Sequence, residues 1–256
     1  MTQSATLAQS ESLLPTPSGY VRQATLPLPS LVLLLPMIVI YEIGTQYFTT
    51  AAKHGQEQQI IAFSKMADFF RLFGANARHM PALAVVGMLL AWHIARHDTW
   101  KIKVQTILGM AAEGVILGLP LLALAFVVNR FLPSLGLQAS TDPLAGQTSV
   151  GDRLIMDLGA GVYEEFVFRL VLFTFVSLLF RDLLKLRDRT VYVLMVLMSA
   201  ILFAAYHYWS PAEHFSGRIF AFRTLAGIYF GVIFMCRGFG ITAFSHCAYD
   251  VIITLC

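Results

Sequence analysis

Two adjacent carboxylates, Glu164 and Glu165, lie with Arg169 inside the apolar stretch 154–180 (LIMDLGAGVYEEFVFRLVLFTFVSLLF). Ionisable side chains in a stretch of that length are costly in a bilayer and mark functional positions by default. On a helix, Glu165 and Arg169 are i,i+4 neighbours that neutralise each other, whereas Glu164 points about 100° away and keeps no local countercharge. A carboxylate so placed can serve as general base or general acid. Glu165 and Arg169 read as a supporting ion pair, because removing either would leave the other charge uncompensated.

Two later apolar segments carry further candidates: His207 closes the run FAAYH, and His246 and Asp250 open and close HCAYD, on one helix face. A lone histidine in a helical bundle is more often a hydrogen-bonded structural residue than a catalyst. One carboxylate, two imidazoles and a fourth polar side chain drawn from three helices form a convergent set. Peptide hydrolysis needs a deprotonated water, a donor for the carbonyl oxygen and a proton for the leaving amine, and Glu164, His207 and His246 can supply all three. The same three residues have the ligand chemistry of a catalytic zinc site, although no HExxH run is present. A competing reading makes Glu164, His207, His246 and Asp250 the proton relay of a transporter. Such transporters are built from repeats and broken helices; no internal repeat stands out, while Gly159 and Gly161 offer a local break.

EEFVFR fits the pattern EExxxR, FAAYH fits FxxxH and HCAYD fits HxxxN/D, in that order over residues 157–250. On these motifs the chain resembles the CPBP intramembrane proteases, a family that takes in the type II CAAX prenyl endopeptidases and relatives tied to bacteriocin processing and immunity. The resemblance implies that Glu164 and His207 activate a water and that His246 is an oxyanion donor. Asp250 stands where the prenyl proteases carry Asn, and an ionised Asp cannot donate a hydrogen bond. Its expected role is to accept from one ring nitrogen of His246 and fix the tautomer whose other nitrogen faces substrate. The implied mechanism is metal-free and needs no cofactor, with a divalent metal such as zinc on Glu164, His207 and His246 as the alternative. The implied partners are a membrane-embedded or membrane-tethered peptide or protein substrate and the lipid bilayer, with no nucleic acid. A catalytically idle, peptide-binding immunity-type protein would carry the same motifs.

The elements that must position these residues follow from composition. Hydrophobic residues make up 57% and charged residues 13% of the 256, with a mean hydropathy of +0.68, too little charge to solvate a soluble domain of this size. The expected fold is all-α, a polytopic transmembrane bundle of about seven to eight helices around an intramembrane polar cavity. Residues 1–29, rich in Pro, Ser, Thr and Gln, read as a flexible tail, and 30–256 as one transmembrane domain with its catalytic core at about 150–256. Spans are expected at 31–51, 80–94, 104–131, 154–180, 190–209, 219–235 and 240–255. Within them, Glu42 and Glu113 are further acids. Residues 58–73 pattern as an amphipathic helix that suits either the membrane interface or packing on the bundle. Cys236, Cys247 and Cys256 read as packing residues. Basic loops after 94 and after 180 place those ends, and the N-terminus, on the cytoplasmic side of a cell membrane. Counted along regular helices from Thr190 and from Gly240, His207 and His246 fall at different depths, about 26 Å and about 10 Å.

Overall fold

The computed structural model describes residues 19–51, 60–74, 78–131, 149–209 and 214–256, and no strand occurs among them. The helices are α1 (Gly19–Ala24), α2 (Pro27–Ala51), α3 (Ile61–Leu72), α4 (Met80–Ala95), α5 (Val104–Phe131), α6 (Val150–Glu165), α7 (Leu172–Val176), α8 (Asp188–Tyr206), α9 (Gly217–Arg237) and α10 (Phe239–Leu255). Wider π-helical turns join α6 to α7 (Phe166–Val171) and extend α7 (Ser177–Leu183), and α8 ends in a 3-10 turn, His207–Trp209. The expected all-α polytopic bundle is the observed architecture.

Among the described residues, four helical stretches are long and apolar enough to cross a membrane: Pro27–Tyr47, Val104–Phe131, Asp188–Trp209 and Gly217–Arg237. Met80–Ala95 and Phe239–Leu255 are apolar but shorter. The segment read as one span over 154–180 begins earlier, at Val150, where Ser149 and Asp152 form a reciprocal capping box. It then leaves α-helical geometry directly after Glu165.

Close packing of α6 on α10 is the central contact, with α2 and α5 beside it and α8 paired with α9. Gly161 makes that contact: a Cβ there would overlap the Cys247 sulfur and lie 2.5 Å from the Cys247 nitrogen and 2.9 Å from the Ala243 carbonyl. Small residues at helix crossings let backbones approach in this way. Gly159 and Gly161 therefore do not break the helix; Gly159 seats the Tyr41 ring and Ile60 on the opposite flank. Gly238 turns α9 into α10 in one residue, at φ +78°, a conformation open to glycine.

Part of the stretch expected as a flexible tail is folded. In α1, Ala24 is fully buried and the Tyr20 hydroxyl donates to Glu113 at 2.7 Å, while Gln23 accepts from Thr106 at 2.9 Å. Burial first, and then the bond to Glu113, push the Tyr20 phenol up to about 12, so it remains a donor. The Arg237 guanidinium grips both oxygens of Glu113. Glu113, an unexplained acid in the sequence, thus ties α1, α5 and α9 together. Residues 1–18 lie outside the described residues.

Helix α3 combines the two readings of its stripe. Phe63 is buried, with its ring centroid 5.3 Å from Tyr41 and 5.0 Å from Tyr163, whereas Phe69, Leu72 and Phe73 remain exposed. Of the three cysteines only Cys247 packs in the interior; Cys236 and Cys256 are exposed and correct that expectation.

Candidate active site

Glu164 and Glu165 are the last residues of α6, one turn beyond the Gly161 contact, and so face α10 where it carries His246. Both are buried, as is His246. The Nε2 of His246 lies 3.8 Å from Glu164 Oε2, and the Nε2 of His207 lies 3.9 Å from Glu164 Oε1. The unequal depths counted along regular helices do not keep the histidines apart, since both reach Glu164.

Each imidazole is held by its other nitrogen. His207 Nδ1 is 2.8 Å from the Phe203 carbonyl, which can only accept, so Nδ1 carries the proton and a neutral His207 turns an unprotonated Nε2 toward Glu164. His246 Nδ1 is 2.9 Å from Glu165 Oε1. Its ring also stacks on Phe230, with centroids 4.6 Å apart. Fixing one nitrogen of a ring selects what the other presents.

Glu165 therefore has two partners. One oxygen meets His246, and the other lies 3.1 Å from Arg169 Nε in the i,i+4 pair expected from sequence. Arg169 is fully buried, donates to the Gly227 carbonyl at 3.1 Å, and lies over the Phe203 ring at 4.7 Å. The ion pair thus joins α9 and the π-helical turn to the histidine of α10.

The position of Asp250 differs from its expected role. Its Oδ2 lies 3.3 Å from His246 Nε2, the nitrogen that faces Glu164, while the nitrogen turned away belongs to Glu165. Glu165 orients the ring and Asp250 sits at its working edge. The reason is helical geometry: a residue one turn along the same helix meets the near edge of the ring, whereas the far edge faces the neighbouring helix.

Nothing in the sequence singles out Tyr206, the residue before His207. Its hydroxyl donates to Glu164 Oε1 in a short hydrogen bond, from a buried position. The 3-10 turn beginning at His207 lets two consecutive residues address one carboxylate. Tyr206 also lines an apolar groove of about 430 Å³ between α3, α4 and the π-helical turn, with Met66, Phe70, Met88, Phe166 and Trp209. The polar cluster and the groove share this residue.

Among the described residues, no group of three or more His, Cys, Asp or Glu side chains is arranged to hold a metal ion. Glu164, His207 and His246 would be the ligands if one bound; Nε2 of each ring faces Glu164 at 3.8 and 3.9 Å, while Nδ1 of each is engaged by Glu165 or the Phe203 carbonyl.

Residues 147–252, fewer than half of the chain, match the family model for Rce1-like type II CAAX prenyl endopeptidases. No curated protein and no solved structure matches the chain. The match spans α6 to α10 and includes every residue of the cluster. The apolar helices and this match together support a CAAX protease-like integral membrane protein.

Proposed function

We propose that the protein is an intramembrane endopeptidase that hydrolyses a peptide bond of a membrane-associated substrate through a water activated by Glu164 and His207. The observation that carries this reading is the convergence of Glu164, His207 and His246 within 4 Å, with the far nitrogen of each ring occupied. Polar atoms 3.8 to 3.9 Å apart are too far for a direct bond but suit a bridging water.

In the proposed reaction Glu164 takes a proton from the water as it attacks the carbonyl carbon. His207, whose unprotonated Nε2 faces the same point, takes that proton on from Glu164 and delivers it to the leaving amine as the C–N bond breaks. His246 donates from Nε2 to the developing oxyanion, its ring held by Glu165. A ring with a carboxylate at each nitrogen can donate from both when it is an imidazolium. Donation from Nε2 while Nδ1 donates to Glu165 requires that form, and the Asp250 carboxylate lies 3.3 Å from Nε2. Tyr206 holds the Glu164 carboxylate in place by donating to one oxygen and leaving the other toward His246.

The apolar groove that reaches Tyr206 supports a substrate with an apolar anchor lying beside the scissile bond. The proposed location is the cell membrane, with the N-terminus cytoplasmic, on the distribution of basic loops. The test is cleavage of a lipid-anchored peptide by purified protein in nanodiscs. Wild type is expected to cut it, and Glu164→Gln to lose at least a hundredfold in rate, in keeping with the weight of a general base. Equal cleavage by both would overturn the assignment and leave the proton relay as the better account of the cluster.

A further inference from the structure

Hydrolysis consumes one water for every bond it breaks, and in a buried site that water has to pass between helices. The groove at Tyr206 offers it little, since its lining is apolar apart from Tyr206 and Lys65. Tyr206 and His207 stand on the Oε1 side of Glu164, whereas Oε2 turns to His246. Beyond His246 the facing side chains of α6 and α10 become polar again.

On α10, His246, Asp250 and Thr254 follow one another at four-residue spacing and form one stripe. On α6, Asp157 precedes Glu164 by two turns on nearly the same face. The helices run antiparallel, in a register fixed by Gly161 against Cys247 and by the Cys247 thiol donating to the Leu158 carbonyl at 3.3 Å. From the level where Glu164 meets His246, Asp157 lies about 10.5 Å back along α6 and Thr254 about 12 Å forward along α10. Both reach the same level, near the end of the bundle where α6 begins and α10 stops, with Asp250 between that level and the site. Asp157 accordingly lies beside Thr254 and in range of the charges of Asp250, Arg153 and His246.

Exposure rises along this seam. The side chains of Glu164 and His246 are 6% and 7% exposed and that of Asp250 is 23% exposed, while Asp157 and Thr254 are half-buried and Leu255 is exposed. At the level of Asp157, its Oδ2 and the Nε of Arg153 are buried atoms with no hydrogen-bond partner among the described residues. Buried polar atoms are ordinarily satisfied, and where side chains and backbone supply no partner, water does. About three or four waters at hydrogen-bond spacing span the distance from Asp157 to Glu164.

We propose that the water consumed in each turnover reaches Glu164 along the seam Asp157–Thr254–Asp250–His246, and that Asp157 is the positioning residue that keeps the seam wet. The proposal rests on the peptidase reading above and gives the second reactant a route of its own, on the side of Glu164 away from the groove. Near neutrality, one peptide bond and one water become a carboxylate and an ammonium ion, so no proton has to enter or leave with the water. The seam therefore needs polar atoms and not a titrating chain, and an amide at 157 serves as well as a carboxylate.

The test uses the full chain in phosphatidylcholine nanodiscs with a lipid-anchored peptide. Asp157→Leu is expected to lower kcat at least tenfold with KM within twofold of wild type, and Asp157→Asn to stay within threefold of wild type in both. Thr254→Val, which exchanges a hydroxyl for a methyl near the end of α10, should lower kcat about threefold. Unchanged kcat in Asp157→Leu, or a loss in Asp157→Asn as deep as in Asp157→Leu, overturns the proposal. A second readout does not depend on cleavage: a nitrile placed by cyanylation of Asp250→Cys, in protein carrying Cys236→Ser, Cys247→Ala and Cys256→Ser, reports contact with water through its infrared band. The band should show water contact with Asp157 and with Asp157→Asn, and an apolar surrounding with Asp157→Leu. An apolar band with Asp157 in place, or water contact unchanged by Asp157→Leu, overturns the route. The band decides the route even where wild type cuts no peptide, an outcome that counts against the peptidase reading alone.

Discussion

Replacing Gly161 by alanine separates catalytic geometry from stability, because the added methyl group falls on backbone as well as on a side chain. Its Cβ would stand 2.5 Å from the Cys247 nitrogen and 2.9 Å from the Ala243 oxygen, as well as overlapping the Cys247 sulfur. Ordinary contact begins at about 3.5 Å, so α6 and α10 must part by up to about 1 Å. Overpacking of this kind costs about 1–3 kcal/mol. Alanine offsets about 1 kcal/mol of that through its better helix propensity. The net loss of stability is therefore modest. Activity should suffer far more, since the same separation stretches the 2.9 Å bond from His246 to Glu165 beyond hydrogen-bond range and displaces the proposed oxyanion donor. A misplacement of about 1 Å costs on the order of a hundredfold in rate, about 2.7 kcal/mol of barrier. The assay is kcat/KM on the anchored peptide beside thermal unfolding in the same detergent. Gly161→Ala/Cys247→Ala should remain impaired, because the backbone overlap persists without the sulfur. Gly87→Ala is the control: nothing lies within 4 Å of a Cβ there, and both readouts should match or slightly exceed wild type. Wild-type activity in Gly161→Ala would refute the claim that the close helix contact sets the site.

Other expected outcomes follow from the same cluster. Glu165→Gln leaves the fully buried Arg169 without its countercharge and should destabilise the fold by about 3–5 kcal/mol, measured by thermal or denaturant unfolding. A loss under about 1 kcal/mol, the range of exposed pairs, would contradict the burial assigned to the pair. Tyr206→Phe removes one donor to Glu164 and should lower kcat roughly tenfold, about 1.4 kcal/mol, with little change in unfolding temperature. Unchanged kcat would show that the hydroxyl does not prepare the carboxylate. Prolonged chelation followed by dialysis should leave activity intact; loss that is restored by added zinc would replace the bridging-water mechanism with one on a metal held by Glu164, His207 and His246.

The grouping of Glu164, His207, His246 and Asp250 was legible because lipid penalises polar side chains in apolar stretches, so those that occur there serve a site or pair with one another. Helical spacing already gave faces to three of them. The Glu165–Arg169 pair was legible for the same reason. What spacing cannot show is the second oxygen of a carboxylate: Glu165 reaches His246, 81 residues away, and no local pattern carries that contact. Tyr206 was hidden because regular α periodicity sends adjacent residues about 100° apart, and only the 3-10 turn at His207 brings both to one acceptor. The helix at Gly19–Ala24 is too short for periodicity to register above a polar, proline-rich background, and its anchor is the distant Glu113. The interruption of the 154–180 stretch was not legible, since hydropathy reports apolar length and not the π-helical turns that follow Glu165.

The groove beside Tyr206 is bounded by residues that also face outward from the bundle, among them Phe69, Met88, Val171 and Trp209. A substrate reaching Glu164 by that route, under the proposed function, arrives from within the plane of the lipid and not from bulk water. Its relevant concentration is then molecules per unit of bilayer area. Diluting substrate with inert lipid slows turnover, whereas adding buffer to vesicles that already hold both enzyme and substrate does not. Crowding or partitioning of the bilayer becomes, for such an enzyme, a means of regulation that needs no effector site on the protein.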